Sequence, residues 1–404
     1  MTEPSKAQAA LHGQAGRIYL DNAASTPVDP RVRQVMLPLL AEVYGNPSSL
    51  HRHGVEAASV LAGARETLAR LLSVAPHELI FTASGTESNN LAIKGAALAN
   101  RDRGNHILIS AIEHASVVES CAWLRAMDFE VEDVPVDGEG LVDPALVARA
   151  IRKTTVLVSI MHANNETGVI EPIEEIGAIC RSRGVLFHTD ASQSFGKIPL
   201  SPTRQHLDLA TLSSHKIYGP RGAAALYLRK GVRLMPWIHG GGQELGLRGA
   251  TENVASILGL AKAAELCVEE MSRESERLLT MRERILGELG ACLPDMYLNG
   301  SRRQRLPANI NVGFAGLEGL APNLLLALDE SGISVSTGSA CSSNSASRPS
   351  HVLVAMGRNP LEALGALRVS LGRFTTAEDV DRFVLVMREA VGDLRQRGFG
   401  ARGS

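Results

Sequence analysis

From about residue 77 to residue 230 the chain alternates short β-branched runs, apolar at nearly every position, with longer stretches whose apolar residues recur at helical spacing. The runs are HELIFTAS, NHILISAI, TTVLVSIMH, VLFHTDAS, LATLSS and AAALYL. A strand with one wet face alternates polar and apolar residues, whereas a continuously apolar strand is covered on both faces. Such runs separated by helical patterns predict an α/β fold with a mainly parallel sheet between two helical layers. Past Gly249 the helical pattern continues to about Leu289, and ANINVGF, GISVST and ALRVSLGR then predict a smaller α+β unit. We place the large domain at residues 26–270 and the small domain at 1–25 together with 271–404.

Ligands of open α/β sheets bind beyond the carboxyl ends of the strands, so the polar segments just past those ends hold the candidate chemistry. They are TASGTESNN, EHAS, ANNETG, DASQSFG and SSHKIYGPRG, five loops that converge on one rim. In the first, Ser84 and Glu87 have the spacing of a capping box, which starts a helix directly after a strand. The free N–H groups there, beside the Thr86 hydroxyl, suit a phosphate. Lys216 follows a strand among hydroxyls, a histidine and a Gly-Pro turn, where its amine can capture a carbonyl as a Schiff base. Asp190 ends an apolar strand, where a carboxylate needs a cationic partner to offset its desolvation. An anion site, a lysine and a carboxylate on successive strand ends are together what pyridoxal phosphate requires: an anchor, a tether and a partner for the ring nitrogen.

Composition narrows the alternatives. The 404 residues carry 41 Lys and Arg against 43 Asp and Glu, a net charge of -2 that offers no general field for nucleic acid. No uncharged apolar run is long enough to span a bilayer, and the N-terminus lacks the apolar core of a secretory signal, so a cytoplasmic protein without a membrane partner is expected. The five cysteines are scattered, without any C-x-x-C pair, which argues against a disulfide framework or a zinc knuckle. Cys121, Cys180 and Cys267 lie in helical segments and read as small core hydrophobes, as does Cys292. His51, His53 and His162 do not form a complete metal-ligand set. HGGGQE, residues 239–244, resembles an esterase oxyanion loop, but no G-x-S-x-G elbow accompanies it. It reads as a glycine loop near a subunit interface. Cys341 is different from the other cysteines: it lies in STGSACSSNSAS, residues too small to pack a core and suited to carrying a thiol on a long flexible arm.

IYLDNAASTPV, YGNPSSLHRHG, TASGTESNNLAIKG, EHASV, HANNETGVI, DASQSFGKIPL, SSHKIYGPRG, RGATENV, STGSACSS and LRVSLGRFTT occur in the order found in cysteine desulfurases of the NifS and IscS type, within the class V aminotransferases. The resemblance implies the aspartate aminotransferase fold, fold-type I of the pyridoxal 5'-phosphate enzymes, as a homodimer. Lys216 resembles the lysine that carries the cofactor, and Asp190 the partner of the pyridine nitrogen. Gln193 resembles the donor to the ring hydroxyl, and His114 the residue stacked on the ring that helps move protons. Gly85, Thr86, Ser213 and His215 resemble the phosphate ligands, with Thr251 added by the other subunit. Asn165 and Arg368 resemble the substrate-facing pair, Arg368 as a fork for the α-carboxylate of L-cysteine. Cys341 aligns with the nucleophile that takes sulfur as a persulfide while alanine leaves, for transfer to an acceptor such as an iron-sulfur scaffold protein.

Three departures bear on this. Ser84-Gly85-Thr86 stands where relatives have Gly-Ala-Thr, one residue is added between Cys341 and Pro349 with Arg348 at a position usually acidic, and the chain ends soon after LRVSLGRFTT. The short tail favours a NifS-like or specialised sulfur donor over a housekeeping one. The alternative within the fold is a selenocysteine lyase or another β-lyase, which needs no acceptor thiol. A cofactor-free thiol hydrolase and a non-catalytic binding protein are the alternatives outside it, and both predict colourless protein.

Overall fold

The computed structural model describes residues 16–337 and 348–397, so Cys341 lies outside the described residues. Strands are numbered in chain order. β1 is Ile18–Tyr19, β2 Leu79–Thr82, β3 His106–Ser110, β4 Glu130–Val134, β5 Thr155–Ser159, β6 Leu186–Asp190, β7 Leu209–Ser213 and β8 Ala224–Leu228. β2 to β8 form one seven-stranded sheet in the order β2-β8-β7-β6-β5-β3-β4. Only β8 runs against the others, antiparallel to β2 and β7 on either side; β7, β6, β5, β3 and β4 pair in parallel. The carboxyl ends of β2, β3, β5, β6 and β7 therefore share one edge.

Every residue of these five strands is buried, and the two-residue side-chain period of a strand divides them between two cores. Phe81, Leu108, Val158 and Phe187 face the helices Arg52–Leu72 and Ile173–Arg183 and the first half of Val254–Cys292. Ile80, Ile107, Ile109 and Leu157 face Gly85–Ala99 and Ala115–Arg125. Each such side chain, fully withdrawn from water, contributes about 1.5–3 kcal/mol, which holds the strand ends at fixed heights. β4 is the strand that the apolar pattern does not reveal. As the edge strand its residues EVEDV stay largely wet, and Glu130 and Glu132 both pair with Arg152.

The remaining strands are β9 (Met296–Leu298), β10 (Asn309–Phe314), β11 (Ile333–Ser334), β12 (Ser336–Thr337) and β13 (Leu367–Ser370). β12-β13-β10-β9 is an antiparallel sheet, and β1 pairs in parallel with β11. A separate core joins Ile18 and Leu20 to Ile285, Leu289, Ile310, Phe314, Val369 and Phe383. The 39-residue helix Val254–Cys292 serves two of these three cores, with Ile257 and Leu260 in the one that holds Phe81 and Phe187, and Ile285 and Leu289 in the small-domain one. Cys121, Cys180 and Cys267 are buried as expected, but Cys292 is exposed. It is the last residue of that helix, on the face turned away from the core that Leu289 and Leu293 still enter. Among the described residues no helix is long and apolar enough to cross a membrane.

Candidate active site

The loop after β2 turns straight into a helix because Ser84 caps it: its Oγ accepts from the Glu87 amide at 3.1 Å. Glu87 does not return to the Ser84 amide as a full capping box would. It accepts from the Ala83 amide at 3.0 Å and ion-pairs with Arg248 at 2.9 Å. The first amides of the helix remain directed beyond the sheet edge, at the positive end of its dipole. Gly85 lies against the β6 and β7 loops, and a Cβ added there would sit 3.1 Å from Ser192 Oγ and 3.6 Å from Ser213 Cβ.

Asp190 closes β6 and is buried. Its Oδ1 accepts from the Ser192 amide at 2.9 Å and its Oδ2 from Asn89 Nδ2 at 2.7 Å. Among the described residues no cationic side chain ion-pairs with it. One strand residue pair earlier, His188 is held between Ser159 Oγ (2.8 Å) and Thr211 Oγ1 (3.2 Å), and burial pushes it down to about 4, so it supplies no charge at neutral pH. Asn89 Nδ2 also donates to Ser116 Oγ at 2.8 Å. Ser116 Oγ lies 2.8 Å from His114 Nδ1, which accepts the Ser116 amide at 3.1 Å as the cap of the next helix. With Nδ1 accepting, the proton of the neutral His114 ring lies on Nε2.

Lys216 follows β7 in a single tight turn, Ser214–Lys216. Its Nζ donates to the carbonyls of Ala23 (2.6 Å) and Ala24 (2.8 Å). Gln193 Nε2 donates to the same Ala23 carbonyl at 2.9 Å. Arg368, on β13, is almost fully buried. It ion-pairs with Asp21 at 2.8 Å and donates to the Asn165 carbonyl at 2.9 Å.

These side chains meet in one cleft, lined by convergent polar groups as a small-molecule site is. Lys216, Asp190, Gln193, Gly85, Thr86, His114, Ser213, His215, Asn165 and Arg368 all line it. Thr251 does not. It is exposed and lines a separate hollow behind Ala83 with Arg248 and Asn253. The chain enters the segment containing Cys341 from Ser336, which pairs with Arg368 across β12 and β13. It leaves through Ser350, whose Oγ donates to Glu166 Oε2 at 2.6 Å, and His351, whose Nε2 is 3.0 Å from the Glu113 carbonyl. Both stems are thus tied to the cleft wall.

Three cations, Lys216, Arg221 and Lys197, act on His215, which lines the cleft. Burial, Lys216, Arg221 and Lys197 together push His215 down to about 4, so this neighbourhood suits an anion. Burial pushes Glu113, next to His114, up to about 8 even though Ser110 Oγ (2.6 Å) and the Met161 amide (2.7 Å) donate to it. Glu113 is a neutral acid at pH 7. Sequence reasoning missed Asp21, Asn89, Glu113 and Ser116. Asn89 alone carried a signal, lying one helical turn beyond Gly85 and so on the same helix face.

Residues 18–383 match the family model described as aminotransferase class-V. The curated cysteine desulfurase IscS of Dictyoglomus turgidum is 48% identical over 379 residues, covering 94% of this chain and 95% of that protein. Among solved structures, a NifS-like protein superimposes with a TM-score of 0.87 at 38% identity, covering 94% of this chain and 100% of that one. SspA in complex with cysteine does so with a TM-score of 0.78 at 36% identity, covering 89% and 100%. Fold, cleft and sequence agree: this chain belongs to the class-V aminotransferase family, among its cysteine desulfurases.

Proposed function

We propose that the chain removes sulfur from L-cysteine with pyridoxal 5'-phosphate, releasing L-alanine and leaving a persulfide on Cys341. The observation that carries this reading is the meeting of Lys216, Asp190 and the Ser84–Thr86 helix start in one cleft, in a chain whose relatives are named cysteine desulfurases. The cofactor fits: an anionic end matches the cationic field around His215, and a pyridinium matches Asp190, which has no cationic partner among the described residues. Once bound, it supplies an electron sink that weakens bonds at the α-carbon of an amino acid.

The protein's own groups then divide the work. Lys216 would tether the aldehyde, Asp190 would keep the ring nitrogen protonated, and Gln193 would donate to the ring hydroxyl. The helix amides at Gly85 and Thr86, with Ser213 and His215, would hold the phosphate. Thr251, exposed outside the cleft, joins the phosphate of a second copy in a homodimer. Arg368, already oriented by Asp21, and Asn165 take the substrate α-carboxylate. His114 presents Nε2–H as a hydrogen-bond donor toward the cleft, while the Cys341 proton passes to the substrate amine. Cys341, as thiolate, takes the sulfur and hands it to an acceptor, an iron-sulfur scaffold or another thiolation partner in the cytoplasm. The test is direct. The purified protein is expected to be yellow, to lose its visible band on borohydride reduction with label on Lys216, and to release alanine from L-cysteine. Colourless protein that binds no pyridoxal phosphate would end this reading.

A further inference from the structure

Behind the wall formed by Gln193 and Lys216 lies a second cavity, largely apolar, between the long helix and the β13 end of the small sheet. Ala23, Gln193 and Lys216 line both this cavity and the cleft. Into it comes Lys197, four residues after Gln193. The chain reverses at Gly196, whose φ of +72° and Cβ position, which would fall 2.8 Å from Cys267 Cβ, only glycine tolerates. Lys197 Nζ donates to Gln193 Oε1 at 3.4 Å, and among the described residues no carboxylate ion-pairs with it. The charged and titratable groups around it are Lys216 and His215 on their turn, Tyr218 just past it, Arg368 on β13, and Cys267 and Glu274 on the long helix, with Arg373 beyond β13. Glu274 is taken by Arg277 at 2.9 Å, and Arg373 by Asp29 and Glu270. Burial and Lys216 push Lys197 down to about 8.

We infer that Lys197 is a positioning residue for the cofactor end of the cleft: it fixes the Gln193 amide and places a positive charge behind the cofactor's ring oxygen. Resting on the cofactor reading above, this goes beyond it to a residue that touches neither cofactor nor substrate. A lysine ammonium can only donate and the Ala23 carbonyl can only accept. Between them they allow Gln193 one orientation, Oε1 toward Lys197 and Nε2 toward the Ala23 and Lys216 side. That is the orientation in which Gln193 donates to a ring oxygen. The cation behind it also favours the ionised ring oxygen and disfavours a further proton on the Lys216 nitrogen, an effect that low-dielectric surroundings strengthen.

The readout is the pH at which the visible band of the cofactor-loaded protein changes colour, followed by absorbance without substrate. Replacing Lys197 by Met is expected to raise that transition by about one pH unit, a tenfold change in acid constant, while Lys197→Arg, which keeps the charge, stays near wild type. A folded, loaded Lys197→Met protein with an unchanged transition would overturn the inference. Should that variant not fold, Lys197→Gln replaces it, with the same upward shift expected and the same unchanged transition overturning it. An equal shift in Lys197→Arg would also overturn it, since repacking rather than charge would then be responsible. Wild-type protein with no visible band at all would defeat the cofactor reading itself, a result distinguishable from a normal band that ignores position 197.

Discussion

Arg368 shows most clearly how single residues here are prepared before any ligand arrives. Its guanidinium is fixed from two sides by Asp21 and the Asn165 carbonyl, so little side-chain freedom remains to be lost on binding a carboxylate. Replacing it with lysine keeps the charge but loses the fork. The KM for L-cysteine is expected to rise by roughly 10- to 100-fold, the scale of one or two charge-assisted hydrogen bonds, with the visible band retained; an unchanged KM would remove Arg368 from substrate binding. Lys216→Ala is expected to abolish the borohydride-reducible band and to cut alanine release by at least about 10³-fold, as read in a coupled alanine assay. Lys216 and Asp190 were legible in the sequence because each terminates an apolar run, and a run's end is a position in space. Glu113 and Ser116 were not, because what they do depends on the phase of a helix and on partners one strand away. Lys197 was equally silent, since its meaning comes from a cavity that only packing creates.

Among the elements, the strand-to-helix turn after β2 and the one after β3 carry the most function. At the first, Gly85→Ala is expected to stabilise the fold by about 0.4–1 kcal/mol through a stiffer unfolded chain. The nearest obstacle is the rotatable Ser192 hydroxyl at 3.1 Å, and thermal unfolding of the loaded protein checks it. A lowered Tm would mean that the turn needs glycine's freedom after all. At the second, Glu113 titrates near 4.5 when unfolded and at about 8 when folded. Across that window the folded chain keeps a proton the unfolded chain releases, so stability declines as pH rises. Glu171, pushed up to about 8 by burial, acts in the same direction. Glu113→Gln is expected to flatten the fall of Tm between pH 5 and pH 8, and an equally steep fall in the variant would relocate the effect. β4 escaped the sequence reading for the reason that makes it an edge: its wet faces carry no apolar run. Cys292 misled in the opposite way, because at the helix end it falls on the wet face while its neighbours Leu289 and Leu293 take the buried one.

At the scale of the whole molecule, two of the cores are tied by one helix and by Arg373, which pairs with Asp29 at 2.5 Å and Glu270 at 2.9 Å while lying over the Tyr218 ring. Arg31 and Arg373 hold the Asp29 carboxyl well below the usual carboxylate range, so this contribution is present above about pH 4 and fades on acidification. Arg373→Ala leaves Asp29 with Arg31, and Glu270 with Arg31 and the more distant Arg273, and is expected to cost about 3 kcal/mol, read as a lower denaturation midpoint. The α/β layering and the presence of a smaller α+β unit were visible in the apolar pattern. The pairing of β1 with β11, far apart in sequence, and the sharing of one helix by both cores were not, because no local periodicity records them. In the proposed function all of this machinery serves one transfer, that of sulfur from L-cysteine to Cys341. Mass spectrometry of the Cys341 peptide after the loaded enzyme has turned over L-cysteine under non-reducing conditions tests it most directly. The account predicts one added sulfur atom on Cys341, absent when Lys216 is replaced. Alanine released at the normal rate with Cys341 never carrying sulfur would contradict it.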